Sequence, residues 1–437
     1  MMKDYFSYKT GPWLLMLAML ASTSISAATF SFDSGSTEAD GDLAVTCMTP
    51  GDITTVDVGE SGIMNYASIT VDADCILKFT PTGNSDFHFS QPVRLLVSGD
   101  VVIDGEINLD GGPGNGGNGS SRVLGGIGGP GGYNGGANGT ALLAGQSGYG
   151  PGGGGGVDGN NAGASGSLLP IESDPRFQSL TGGSGGGGAD ASSLTTSSGA
   201  GGGGALLLAS SGSVSIGING SISAQGGSSA SGSYVGGSGA AGMIHIIANT
   251  ISGGGNLKAA KTIVESGVHT STFSITGLGY QMLLQRLSLD LLQTPTLSIA
   301  TVGGVDMSSD DTVSLGTNGD TVIELTSTGL IEGTEVSVAV SGYTVSVVTG
   351  VATLAADGTA SVTVAIASGV SLITAYVSQS LSIASLVPDY NNEKIMLARL
   401  ETNPSGSSVL NFYTETGLRV PDDFLDNPWQ YVDFGQS

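Results

Sequence analysis

Three stretches of the chain share one rhythm of short apolar runs broken by polar turns. They are LLVSGDVVIDGEINLDGG at residues 95–112, LLLASSGSVSIGINGSISAQGG at 206–227 and IHIIANTISGGGNLKAAK at 244–261. Each reads as a short apolar strand, a polar turn, an alternating strand, a Gly turn and a third short strand. Asp104-Gly105 aligns with Asn219-Gly220, and Ile107 and Leu109 align with Ile222 and Ala224. Side chains alternate along a strand, so Val101, Ile103, Ile107 and Leu109 are predicted to point inward, and Asp104, Glu106 and Asn108 outward. A repeat of about 20 residues made of short strands marks a solenoid whose coils bury their apolar faces only by stacking.

Between the first two copies lie residues 111–204, which hold 37 of the chain's 75 glycines. In GGIGGPGGYNGG, residues 125–136, glycine recurs every third position in two interleaved series. Three residues per turn is the period of polyproline II, and only glycine lets such helices approach closely enough to bond through their backbones. A flexible linker is the competing reading of the same composition. The chain is expected to leave the solenoid after Leu109 and return at Ala205, so removal of 112–204 should leave the solenoid folded.

The flanks carry other patterns. ASITVDADCILKFTP and FHFSQPVRLLV suit an N-terminal β cap over residues 29–92. YQMLLQRLSLDLLQTP, residues 280–295, fits both a helical stripe and a strand, and a strand ending the solenoid is preferred. From residue 293 to 382, short alternating runs are separated by Gly, Asn and Asp turns, as in an immunoglobulin-like β-sandwich. It lacks the Cys pair and central Trp of antibody domains. Residues 383–437 read as a C-terminal β extension containing EKIMLARLETN and SSVLNFYTETGLRV. The expected organisation is thus a leader at 1–28, the cap, a solenoid over 93–292 with its Gly-rich insert, the sandwich and the extension.

The leader reading rests on Lys3 and Lys9 before an apolar run from Trp13 to Ala21, then small residues at Ser26, Ala27 and Ala28. This is the layout of a secretory signal peptide; a membrane anchor is the alternative. The mature protein is expected to be secreted or held at the cell surface, without a membrane span. Export changes the reading of Cys47 and Cys75, the chain's 2 cysteines, which are expected to form a disulfide rather than two buried thiols. The chain has 37 acidic against 12 basic residues, a net charge of −25, which repels phosphate backbones and argues against nucleic-acid partners.

These features, in this order, resemble a group of large secreted Gly-rich bacterial surface proteins. They share a signal peptide, a SGDVVIDGEINLDGG-like coil, polyglycine, a GALLLASSGSVSI…NGSISAQGG-like coil and a sandwich opening like PTLSIATVGGVDM. The resemblance covers most of residues 29–420. It implies an all-β chain with a right-handed parallel β-helix at or outside the cell surface, and it carries over no catalytic residues. The Gly-rich part is also similar in composition and period to the tips of some phage tail-fibre adhesins.

Candidate chemistry is sparse. Polysaccharide-active β-helix enzymes, lyases or hydrolases, are the alternative class, and they need clustered carboxylates with a basic partner. Asp72 with Asp74 and Asp100 with Asp104 are near neighbours, but no acid–base motif surrounds them, so no catalytic residue and no cofactor is assigned. GGGGVD at 153–158 and GGGGAD at 185–190 fit the start of the calcium-roll nonapeptide, which makes Asp158 and Asp190 the residues to test. Neither copy is tandem, and polyglycine produces such matches by chance, so no metal is assigned. Within the insert, Leu142, Leu143, Leu168 and Leu169 are expected to fold down over the bundle. Tyr149, Arg176 and Phe177 are expected at exposed loop tips as ligand contacts, with surface glycans or other extracellular matrix components as partners. The expected role is non-enzymatic, structural or adhesive.

Overall fold

The computed structural model describes residues 31–377 apart from 60, 81–90, 160, 169–179, 191–194, 285–288, 290–295, 309–311, 316–318, 331, 343–345 and 368, and also 395–402 and 408–414. The described chain is all-β, with no helix. The leader reading at 1–28 lies outside the described residues.

Most strands belong to one large parallel arrangement, laid down in successive passes. The first pass is β1 (Asp42–Val45), β2 (Ile53–Asp57) and β3 (Ile63–Tyr66). The second is β4 (Ser68–Val71), β5 (Ile76–Thr80) and β6 (Val93–Val97). The third starts with β7 (Val101–Ile103) and β8 (Glu106–Asn108). It then crosses the glycine-rich segment, which carries the short pair β9 (Gly116–Asn118) and β10 (Thr195–Ser197), and closes in the first half of β11 (Ala205–Ile216). The rest of β11, β12 (Ser221–Ser223), β13 (Met243–Gly253), β14 (Asn256–Ser271) and β15 (Ser274–Leu283) complete the stack.

The pairings fall into three parallel ladders. One runs β1–β4–β7 and on through the second halves of β11, β13 and β14. Another runs β2–β5–β8–β12 and on through the starts of β14 and β15. The last runs β3–β6 and then through the first halves of β11 and β13, the middle of β14 and the end of β15. Residues from all three ladders share one core. Leu77, Ile107, Ile222 and Leu257 stack in register, each fully buried. Each such side chain stabilises by roughly 1.5–3 kcal/mol on burial. The register pairs Ile107 with Ile222, as the aligned repeats require, and Val101, Ile103, Ile107 and Leu109 are buried. The stack begins at Asp42, within the span expected to be a separate cap.

The disulfide joins Cys47, between β1 and β2, to Cys75 at the start of β5, with Cα atoms 5.5 Å apart. It ties the first pass to the second.

The glycine-rich region is ordered by backbone hydrogen bonds. Segment 198–205 shows the rule. Ser198, Gly201 and Gly204 N–H donate to the carbonyls of Asn115, Gly112 and Leu109. Gly199, Gly202 and Ala205 donate to Gly136, Tyr133 and Pro130, and Ala200 and Gly203 donate to Gly237 and Ala240. The donor direction thus repeats every third residue, the period of polyproline II. Each segment is bonded to several neighbours at once, so the packed reading holds over the flexible one. A Cβ on Gly202 would overlap the Gly183 carbonyl, and one on Gly199 the Gly186 carbonyl.

The bundle is larger than the insert at 111–204. Residues 225–242, which belong to the next pass, are woven into it: Gly111 donates to Gln225, Gly237 to Gly187 and Ala240 to Ser184. Deleting 112–204 would strip the partners from these groups, so the insert and residues 225–242 form one hydrogen-bonded body.

Beyond the stack, two antiparallel sheets face each other. β16 (Thr296–Val302), β17 (Val305–Asp306), β18 (Gly319–Thr328) and β21 (Thr359–Ile366) form one, and β19 (Glu335–Gly342), β20 (Val348–Thr353) and β22 (Ser371–Val377) form the other. The alternating burial of β21 puts Ala360, Val362, Val364 and Ile366 into a core shared with Val336, Val338 and Val340. A final antiparallel pair, β23 (Ile395–Thr402) and β24 (Ser408–Thr414), meets β15 where Tyr280 pairs with Glu401.

Two substitutions test the bundle. Gly202→Ala should lower stability by about 3 kcal/mol or more, because the overlap is with backbone that has no room to yield. Gly116→Ala, which meets nothing within 4 Å, should stay within about 0.5 kcal/mol of wild type. Urea denaturation of both variants provides the readout; equal midpoints would contradict glycine-mediated packing. For the disulfide, non-reducing peptide mapping should recover Cys47 linked to Cys75. The Cys47→Ser/Cys75→Ala double variant should lose about 3.5 kcal/mol on the chain-entropy model for a loop closed by a sequence separation of 28.

Candidate functional site

The bundle has two ends of different character. One end is rooted in the stack, where Leu109, Gly204 and Ala205 enter or leave the ladders. At the far end the segments are joined by turns that bond to one another. β9 pairs with β10, Thr196 bridges to Tyr234, Ala141 N–H donates to Gly119, and Thr140 and Leu143 close a tight turn. Asn138, fully buried, holds this end together: its Oδ1 accepts from Val123 N–H and its Nδ2 donates to the carbonyls of Ser121 and Gly139.

Apolar side chains project here. Leu142 is 92 % exposed, Leu124 is 69 % exposed and Leu143 is half exposed. The expectation that the Leu pairs fold down over the bundle is therefore corrected for Leu142 and Leu143. The bundle interior is filled by backbone and offers them no groove. Leu168 is half-buried, and Leu169 lies outside the described residues.

The two aspartate motifs also end here. The segments that carry them touch at two points: Gly154 N–H donates to Gly185 O, and Gly159 N–H donates to Asp190 Oδ2 at 2.6 Å, so Asp190 stands against the residue after Asp158. Asp190 and Asn161 exchange backbone hydrogen bonds, both 3.1 Å. Asp190 is only 5 % exposed, whereas Asp158 is exposed.

Tyr149, expected at a loop tip, is instead 5 % exposed in the joint between the bundle and the sandwich. Its ring lies against Gly342, where a Cβ would collide with it. Gly342 N–H donates to Ser147 Oγ at 3.0 Å, and Gly150 N–H donates to Ser341 Oγ at 3.1 Å. Burial pushes the Tyr149 phenol up to about 12, with the positive charge of Arg122 pulling the other way. Tyr133, also buried, is raised by burial and shares a hydrogen bond with Thr374 of β22. The turn carrying Tyr149 faces the sandwich because it lies nearer the bundle's other end. Arg176 and Phe177 lie outside the described residues.

Elsewhere, the carboxylates singled out in the sequence do structural work. Asp100 Oδ1 accepts from both the backbone N–H and the hydroxyl of Ser213, at 2.8 Å each, and these bonds hold its carboxyl below the usual range. Asp74 occupies a left-handed turn with φ of 64°. His245 pairs with the buried Glu265 at 2.9 Å on the outer face of the third ladder, and Lys261 lies over the Tyr280 ring at 5.0 Å. Among the described residues, no three His, Cys, Asp or Glu side chains converge.

Substituting the joint tests its geometry. Gly342→Ala is expected to displace the Tyr149 ring and to lower the cooperativity of thermal unfolding, separating a sandwich transition from the rest. A single unchanged transition by calorimetry would count against this joint.

No family model, no curated protein and no solved structure matches this chain.

Proposed function

We propose that the chain is a non-enzymatic extracellular structural or adhesive surface protein. In this reading the parallel stack is a right-handed β-helix serving as a rigid stalk. The glycine bundle presents its far-end turns, and the two-sheet unit is an immunoglobulin-like spacer or attachment module. The observation that supports it most is the bundle itself. A body whose interior is backbone bonded to backbone presents almost no internal side chains for chemistry, and its consequence is to hold end turns in fixed positions. Exposed apolar side chains on rigidly held turns are typical of recognition surfaces. Surface glycans or other extracellular matrix components are the proposed partners. The strong negative charge disfavours nucleic acid and anionic membrane as alternatives.

Incubation with a panel of extracted surface polysaccharides and matrix preparations tests the reading. Wild type should bind at least one without cleaving it. Leu124→Ser/Leu142→Ser, at exposed positions, should weaken that binding at least about tenfold with an unchanged melting temperature, the loss expected when central contacts are removed. Arg176→Ala/Phe177→Ala forms a separate arm for the remaining proposed contacts. Chain cleavage of any polysaccharide would overturn the non-enzymatic reading, and absence of binding by wild type would overturn the adhesive one.

A further inference from the structure

Asp190 is the least explained ionisable group in the bundle. Its carboxylate is almost fully buried, and one oxygen, Oδ2, accepts from Gly159 N–H. The other, Oδ1, is buried with no hydrogen-bond donor. It lies against Gly139, where any Cβ would overlap it, so the backbone there admits the carboxylate only because that residue is glycine. A buried carboxylate with an unsatisfied oxygen is costly unless a cation neutralises it. No ion pair to Asp190 occurs among the described residues.

The surroundings are rich in oxygen. Asp158 directly precedes Gly159, whose N–H is bonded to Asp190, so the backbone places Asp158 next to the residue that holds the Asp190 carboxylate. Asn161 also lies at this turn: it bridges Asp190 through the backbone and donates from Nδ2 to Gly159 O at 2.6 Å, which leaves its amide oxygen available. Carboxylates, an amide oxygen and backbone carbonyls are the donor set of a hard divalent cation, and calcium tolerates the irregular geometry of such a turn better than magnesium does.

We propose that Asp190 and Asp158 form a calcium-type cation site that locks Asp158, Gly159 and Asn161 onto the end of segment 185–190. Two observations carry it: the Gly159–Asp190 hydrogen bond, which brings the ends of the two GGGG-x-Asp motifs together one residue out of register, and the buried Asp190 oxygen without a donor. The site does not depend on the adhesive reading. Binding with a dissociation constant of about 10⁻⁴ to 10⁻³ M, the range of extracellular calcium modules, is expected.

The test is thermal unfolding and calorimetric titration of the full chain after chelation, with calcium chloride, magnesium chloride or sodium chloride at matched ionic strength. Calcium should raise the melting temperature progressively through the millimolar range, magnesium less, and sodium should not reproduce the rise. Asp158→Asn changes an exposed residue and should fold normally while weakening calcium binding at least about tenfold, since affinity follows ligand charge. Asp190→Asn should abolish the calcium response. A response equal in sodium would mean only that the net negative charge is being screened. That result, an undiminished response in both variants, or no response in wild type with Asp190→Asn at least as stable, would overturn the site. The last outcome would assign Asp190 as a neutral, protonated acid.

Discussion

The structure depends on how closely two backbones can approach. Every buried N–H and C=O needs a partner, and the chain meets that requirement in two ways. In the stack, each strand bonds sideways to the pass below and the pass above. In the bundle, each segment turns its donors through three directions in three residues, so it needs neighbours on every side. At that separation a Cβ on Gly199, Gly202 or Gly237 would fall on a neighbouring carbonyl. Glycine is therefore a packing requirement here. Ordering it costs roughly 0.5–1 kcal/mol per residue relative to alanine in regular structure, and the dense backbone hydrogen bonding offsets that cost.

The bundle inherits its order from the stack. The third and fourth passes both leave the second ladder at the same corner, where Leu109 N–H donates to Ser223 and Gly111 N–H to Gln225. Both return to the third ladder one above the other, with Met243 N–H bonded to Gly204. Two glycine excursions thus start and finish in register. Entry and exit are fixed before any glycine contact forms, which lowers the loop-closure cost of assembling the bundle. The sandwich adds a second constraint, since Ser341 and Gly342 at the end of β19 grip the turn at 147–150.

Much of this was legible in the sequence because it rests on periodicity. The alternation in VVIDGEINL specified the inward face, and the alignment of Asp104-Gly105 with Asn219-Gly220 specified the stacking register. The every-third-residue glycine predicted the donor rotation. Less legible were relations without a local signature. The passes at 42–80 have irregular turns and an intervening disulfide, which hid their kinship with later passes. The second excursion, 225–242, is short, and its glycines are interspersed with serine and alanine and lack the regular period of three, so its membership in the bundle left no clear signal. Tyr149 read as a tip residue because periodicity locates a turn along the chain but does not say which end of the bundle that turn occupies. Asp158 and Asp190 stood out as motifs, but their juxtaposition comes from the packing of segments some thirty residues apart.

That packing also limits where the chemistry of such a molecule can reside. Glycine positions such as Gly199, Gly202 and Gly237 tolerate no side chain, so this part of the bundle is closed to variation. The ladder interiors are filled by stacked Ile, Leu and Val, and part of the third ladder's outer face is covered by Phe32, Leu284 and Leu289. Freedom to carry large or polar side chains is left to the turns, the outer faces of the first two ladders and the sandwich surface. Among these, the far-end turns are supported by a backbone lattice and carry both the buried Asp190 and the exposed Leu142. On the proposed adhesive reading, a rigid support with its exposed apolar side chains at one end would separate the residues that determine shape from those that meet a partner. Changing Leu124 or Leu142 should then alter contacts without altering the fold, whereas changing Gly202 alters the fold without touching the contacts.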